Sequence, residues 1–130
     1  MTIEETIFEV LSGSTELQEI FNNNIFPLTG KKSKLPALMY QVYQTDTEHT
    51  KLTSSLKDLY LLKLHLFSED YSDVVNSIGI LKDLLDNKEF TDQDDNIIID
   101  LIRFEGFTDD FEEKSGLFYR TMTFAMHIYN

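Results

Sequence analysis

The chain has 130 residues, the usual size of one domain with one core. It carries 23 acidic residues against 11 basic ones, a formal net charge of −12, which opposes a grip on DNA or an anionic membrane, since both need excess lysine and arginine. It has no cysteine, which excludes a disulfide, a thiol nucleophile and a cysteine-ligated zinc site.

The N-terminus lacks a basic segment followed by an apolar run, so it is not a signal peptide. The longest apolar runs are too short to span a bilayer. A soluble chain, intracellular when made, is expected. No internal repeat, low-complexity segment or linker divides it, so residues 1–130 are expected to form a single α+β domain.

In chain order, Ile3, Ile7, Val10 and Leu11 have helical spacing and predict a helix from Ile3 to Leu11. Thr2 can cap it, Glu4 and Glu5 suit its positive end, and Gly13 is a natural stop. A second short helix is predicted from Glu16 to Phe21, capped by Ser14 or Thr15. Ile25-Phe26-Pro27 reads as a short extended piece ended by proline, and Thr29 to Lys34 as a polar loop. Ala37 to Asp46 is rich in β-formers and predicts a strand. A polar loop follows from Thr45 to Ser55.

Leu56 to Phe67 predicts a second strand, with Tyr60, Leu62, Leu64 and Leu66 on one face and Leu59, Leu61, Lys63, His65 and Phe67 on the other. Ser68-Glu69-Asp70 opens a helix in which Val74, Ile78, Leu81 and Leu85 form one stripe. Glu89 to Asn96 reads as an acidic loop, Ile97 to Glu105 as a third strand, Gly106 to Gly116 as an acidic loop, and Leu117 to Tyr129 as a fourth strand. On that last strand Phe118, Met122, Phe124, Met126 and Ile128 share one face; Tyr119, Thr121, Thr123 and His127 share the other. The order α-α-β-β-α-β-β predicts a mostly antiparallel four-stranded sheet with helices packed on one face. Leu59, Leu61, Phe67, Ile97, Ile99 and Leu101 make the second face partly apolar. Either the short N-terminal segments cover it or a neighbouring subunit does.

Catalytic patterns are missing. His49, His65 and His127 do not share a helix at ligand spacing, and there is no HExxH, GxSxG, GxGxxG or GxxxxGK[ST]. Asp92, Asp94 and Asp95 lack the glycine and closing glutamate of a calcium loop. No catalytic, cofactor-binding or metal residue is assigned, and no cofactor is expected. The features suited to a partner are charged or aromatic loop residues. These are the lysine cluster Lys31, Lys32 and Lys34, then Glu48 and Lys51, and then Phe107, Asp109, Asp110, Phe111, Glu112 and Glu113, where aromatics inside an acidic run suggest docking.

The ordered landmarks resemble the tail terminator, or tail completion, family of long-tailed bacteriophages. Ile25-Phe26-Pro27 looks like the family's Ile-aromatic-Pro step, and Leu35-Pro36-Ala37-Leu38-Met39-Tyr40-Gln41 like its strand entry, with Ala37 where an aromatic is frequent. Leu64-His65-Leu66-Phe67-Ser68 stands at the end of a strand before the helix Tyr71 to Leu85. Arg120-Thr121-Met122-Thr123-Phe124 to Tyr129 looks like the closing strand.

The resemblance implies a non-enzymatic virion protein. It would form a ring, usually of six subunits, at the head-proximal end of the tail tube, after assembly in the host cytoplasm. Such a ring stops tube polymerisation and offers a surface for head–tail joining. Its implied partners are further copies of itself, the major tail tube protein and a head-completion or neck protein. DNA would pass through the lumen without specific binding, and no membrane is involved. The alternatives are another neck protein, such as a head-closure or adaptor subunit, a non-viral acidic protein-binding module, or a small hydrolase with an unrecognised site.

Overall fold

The computed structural model describes residues 1–28, 34–45 and 57–129. Three helices, α1 (Ile3–Ser12), α2 (Thr15–Phe21) and α3 (Tyr71–Leu85), accompany six strands. The strands are β1 (Ile25–Pro27), β2 (Ala37–Gln44), β3 (Lys57–Ser68), β4 (Lys88–Thr91), β5 (Ile97–Glu112) and β6 (Leu117–Tyr129).

Local chemistry fixes the helix ends. The Glu5 N–H donates to Thr2 Oγ1 at 3.1 Å and the Leu17 N–H to Ser14 Oγ at 3.2 Å, each satisfying a donor left free in a first turn. Asp70 caps α3 by accepting the Ser72 N–H at 3.0 Å. Gly13 ends α1 where a Cβ would sit 2.9 Å from the Glu9 carbonyl oxygen, so only glycine fits without a shift.

The strands form one six-stranded sheet in the order β1-β2-β3-β6-β5-β4, curled into a half-barrel. It is mixed: β1 runs parallel to β2, and the other neighbours are antiparallel. This corrects the expectation of a four-stranded, mostly antiparallel sheet. The two extra strands are edges too short for a periodic signal. β1 has three residues and ends in Pro27, whose missing N–H confines it to a margin. β4 is Lys-Glu-Phe-Thr, with only Phe90 half-buried, as suits a charged edge strand.

The segment from Gly106 to Glu112, expected as loop, also continues β5, because β6 supplies a partner along its whole length. A bulge at Glu105–Gly106, with Gly106 at φ 148°, lets the strand resume its pairing.

The core lies between the sheet and the helices. Ile7 and Leu11 of α1, Leu17 and Phe21 of α2, and Val74, Leu81 and Leu85 of α3 pack on Leu38, Tyr40, Leu62, Leu64, Leu66, Ile99, Ile102, Met122, Phe124 and Met126. Ile99 thus belongs to the core and not to the second face. Ile99 and Ile102 are both fully buried although three apart, so the alternation of β5 breaks between them.

The N-terminal helices join this same core and do not cover the opposite face, which among the described residues has no helix packed on it. There, Phe67 stacks on Tyr119 at 4.7 Å between ring centroids. His65 accepts or donates at both ring nitrogens, Nδ1 to Tyr119 Oη at 2.9 Å and Nε2 to Gln41 Oε1 at 3.1 Å. Burial, reinforced by Lys63, lowers the His65 pKa from its ordinary value.

Candidate assembly surface

The distal halves of β5 and β6 form a two-stranded ribbon closed by a turn at residues 113–116. Strand alternation places Phe107, Asp109 and Phe111 on the helix side, opposite Met122, Arg120 and Phe118. Thr108, Asp110 and Glu112 take the other side. All six are exposed, Phe107 at 46% and Phe111 at 44%.

Arg120 pins the ribbon to the body. It is 4% exposed, on a strand face otherwise made of Phe118, Met122 and Phe124, and a guanidinium there needs a partner. Asp109 provides one in a forked pair: Arg120 Nη2 donates to Oδ2 at 2.7 Å and Nε donates to Oδ1. Tyr71, the first residue of α3, donates its hydroxyl to the same carboxylate at 2.9 Å and accepts from Arg120 Nη2 at 3.2 Å. The guanidinium carbon lies 4.2 Å from the Phe107 ring centroid. Phe118 packs between Tyr71 at 5.0 Å and Phe111 at 4.8 Å. The hydrogen bond from Arg120 holds the Asp109 pKa below the ordinary carboxylate value, helped by Tyr71 and by charge, against the opposing effect of burial.

Beside this clamp, Phe67, Phe111, Leu117 and Tyr119 line an open hollow of about 480 Å³ rimmed by Asp110 and Glu112. At the opposite margin of the sheet, Pro27, Leu28, Tyr40, Gln41 and Val42 line a mainly apolar groove of about 410 Å³ with Glu4 at its rim. Leu28 is 49% exposed there.

The residues singled out in the sequence therefore separate. Phe107, Asp109, Asp110, Phe111 and Glu112 come together on a strand, with Glu113 in the turn that follows. Lys34 is exposed at the entry to β2, on the rim of a hollow it shares with Ser68, Glu69, Asp70 and Asp73. Lys31, Lys32, Glu48 and Lys51 lie outside the described residues. Sequence reasoning missed Arg120, Tyr71 and the groove at Leu28. The signal for Arg120 was available: a charge between Phe118 and Met122 on the apolar face of β6 requires an acid across the hairpin.

Among the described residues no group of three acidic, histidine or cysteine side chains could hold a metal, and no helix is long and apolar enough to cross a membrane. What the surface offers is exposed aromatic area, acidic charge and free strand edge.

No protein-family model matches the chain, and no curated protein matches it. A solved structure does: a chain from the virion of native gene transfer agent (GTA) particle. The TM-score is 0.77, over 99% of this chain and 96% of that chain, at 8% sequence identity. The two share a fold across essentially their whole lengths.

Proposed function

We propose that this chain is a structural subunit of a phage-like particle, and specifically a ring-forming tail terminator at the head-proximal end of a tail tube. The observation that carries the reading is the full-length fold likeness to a chain in a virion. The ordered landmarks from Ile25-Phe26-Pro27 to the closing strand at Arg120 support the finer assignment.

The physics of the molecule fits a ring subunit. A closed ring needs two different patches on each copy that complement one another. The acidic ribbon and the apolar groove lie at opposite margins of the sheet. A net charge of −12 suits a lumen through which DNA slides without adhering. The expected partners are further copies, a tail tube protein and a neck protein.

Size exclusion with light scattering, followed by negative-stain microscopy, tests the reading. Closed rings are expected at high concentration or on addition of the tail tube protein. A species that stays monomeric to millimolar concentration, alone and beside that protein, contradicts it.

A further inference from the structure

Among the described residues, the sheet leaves two free margins at one level. Pro27 pairs with Tyr40, Tyr40 with Leu64, Leu64 with Met122 and Met122 with Phe107, a single row across five strands. At one end stands half-exposed Phe107, on the part of β5 that β4 does not reach. The outward backbone is closed only as far as Phe104: the Asn87 N–H donates to the Ile102 carbonyl, and the Phe104 N–H to the Asp86 carboxylate, each at 2.8 Å. At the other end lies the groove lined by Pro27, Leu28, Tyr40 and Val42.

We propose that the free edge of β5, from Gly106 to Glu112, lies along the β1 margin of a second copy, with Phe107 seated in that copy's groove between Leu28 and Val42. The inference rests on the ring-forming reading above.

Three observations select this occupant. The first is direction. β1 and β2 run one way, β3 the other, β6 back and β5 against it, so β5 is antiparallel to β1. Copies related by rotation about an axis along the strands meet with β5 antiparallel to β1, and a bare strand edge is a template for such pairing. The second is side-chain placement. Phe107 and the groove residues Tyr40 and Val42 all face the helix side, so a continued sheet brings them together. β1 is short and Pro27 lacks an N–H, so backbone pairing is limited and the aromatic contact must contribute.

The third is charge. Two β5 edges facing each other would oppose Asp109, Asp110 and Glu112 to their own copies, which is destabilising. The β1 margin instead carries one acid at its groove, Glu4, and exposed Lys34 stands at the entry to the neighbouring β2, so it opposes the acidic ribbon less than a second ribbon would. The joint is therefore head-to-tail, the arrangement that closes a ring.

The chain contains no cysteine, so introduced thiols report without background. Phe107→Cys and Leu28→Cys together, under mild oxidation of the full chain, should give a ladder of covalent oligomers on a non-reducing gel. Within one chain the two positions are four strand spacings apart, roughly 19 Å, beyond disulfide reach. Each single variant should stay uncrosslinked. A covalent dimer from Phe107→Cys alone would mean that β5 edges meet each other, which overturns the proposal.

Phe107→Asp should raise the concentration for half-assembly at least tenfold, with circular dichroism unchanged. If the wild-type chain forms rings while the double-cysteine variant gives no ladder, or while Phe107→Asp assembles equally well, the contact is wrong and the ring reading stands. A chain monomeric under every condition overturns both.

Discussion

The two halves of β5 face the same partner strand in different surroundings. From Ile97 to Phe104, β4 closes one side and the helices cover one face, so Ile99 and Ile102 are fully buried. From Phe107 to Glu112 every residue is exposed, and β6 and the Arg120 clamp hold the strand. From Leu101 to Glu112 the ladder with β6 is continuous apart from one bulge, so pairing with β6 does not by itself account for the contrast. The difference lies in whether side chains leave water. The first half is held by apolar burial, which is insensitive to direction; the second by a directional polar pair, which fixes the ribbon while leaving its edge open.

The largest expected effect breaks the buried half. Ile102→Ala should cost about 3 kcal/mol in urea unfolding, from lost transfer energy and a residual cavity. Phe111→Ala, on the exposed half, should cost less than about 1 kcal/mol through its edge contact with Phe118. Equal costs would show that the ribbon is part of the core.

Next comes the clamp. Asp109→Ala leaves a guanidinium buried without its carboxylate. Loss of one partner from a fully buried pair costs about 3–5 kcal/mol. Because a third of the Asp109 side chain is open to water, about 1–3 kcal/mol is expected here. Hydrogen exchange should speed up at residues 107–119 and remain slow in α1, which separates release of the ribbon from general destabilisation.

Gly106→Ala tests the junction between the halves. A Cβ there meets no atom within 4 Å, so the cost is conformational. Holding a non-glycine residue at φ 148° should lose about 1–2 kcal/mol. A neutral result would show that the bulge relaxes.

The smallest effect is on pH. The folded pKa of His65 is depressed, so the folded state binds its proton less readily than the unfolded chain. Its contribution is fully present above the ordinary histidine value of about 6.5 and is lost as pH falls from there toward the folded pKa. Asp109 is depressed as well, so its contribution persists to lower pH and disappears only as the carboxylate protonates, below the ordinary value of about 3.9. His65→Gln should flatten the upper part of a stability-against-pH curve and leave the acid limb in place.

The elements with strong periodicity were legible in the sequence. The faces of β3 and β6, the stripe of α3 and the caps at Thr2 and Ser14 follow from residue spacing and local hydrogen bonding, which need no distant partner. β1 was legible as an extended piece, Ile25-Phe26-Pro27, but not as a member of the sheet, and β4 was read as loop, because three or four residues carry no period and a strand joins a sheet only once a neighbour pairs with it. The distal half of β5 was misread for a related reason. Its aspartates and Gly106 look like loop chemistry, yet the alternation of Phe107, Asp109 and Phe111 was there to be read. The interaction residues were sought in charged loops, and five of the acidic and aromatic ones fall on this strand.

By itself, then, the sequence determined the helices, the alternation of the long strands, the acidic charge and the missing catalytic spacings. Each is a property of neighbouring residues or of composition. Tertiary structure alone decided that the sheet has six strands, that Arg120 meets Asp109 and Tyr71, and that Phe107 and the Leu28 groove end the same row. Those relations join residues far apart in the chain, and only the register of paired strands brings them to one level.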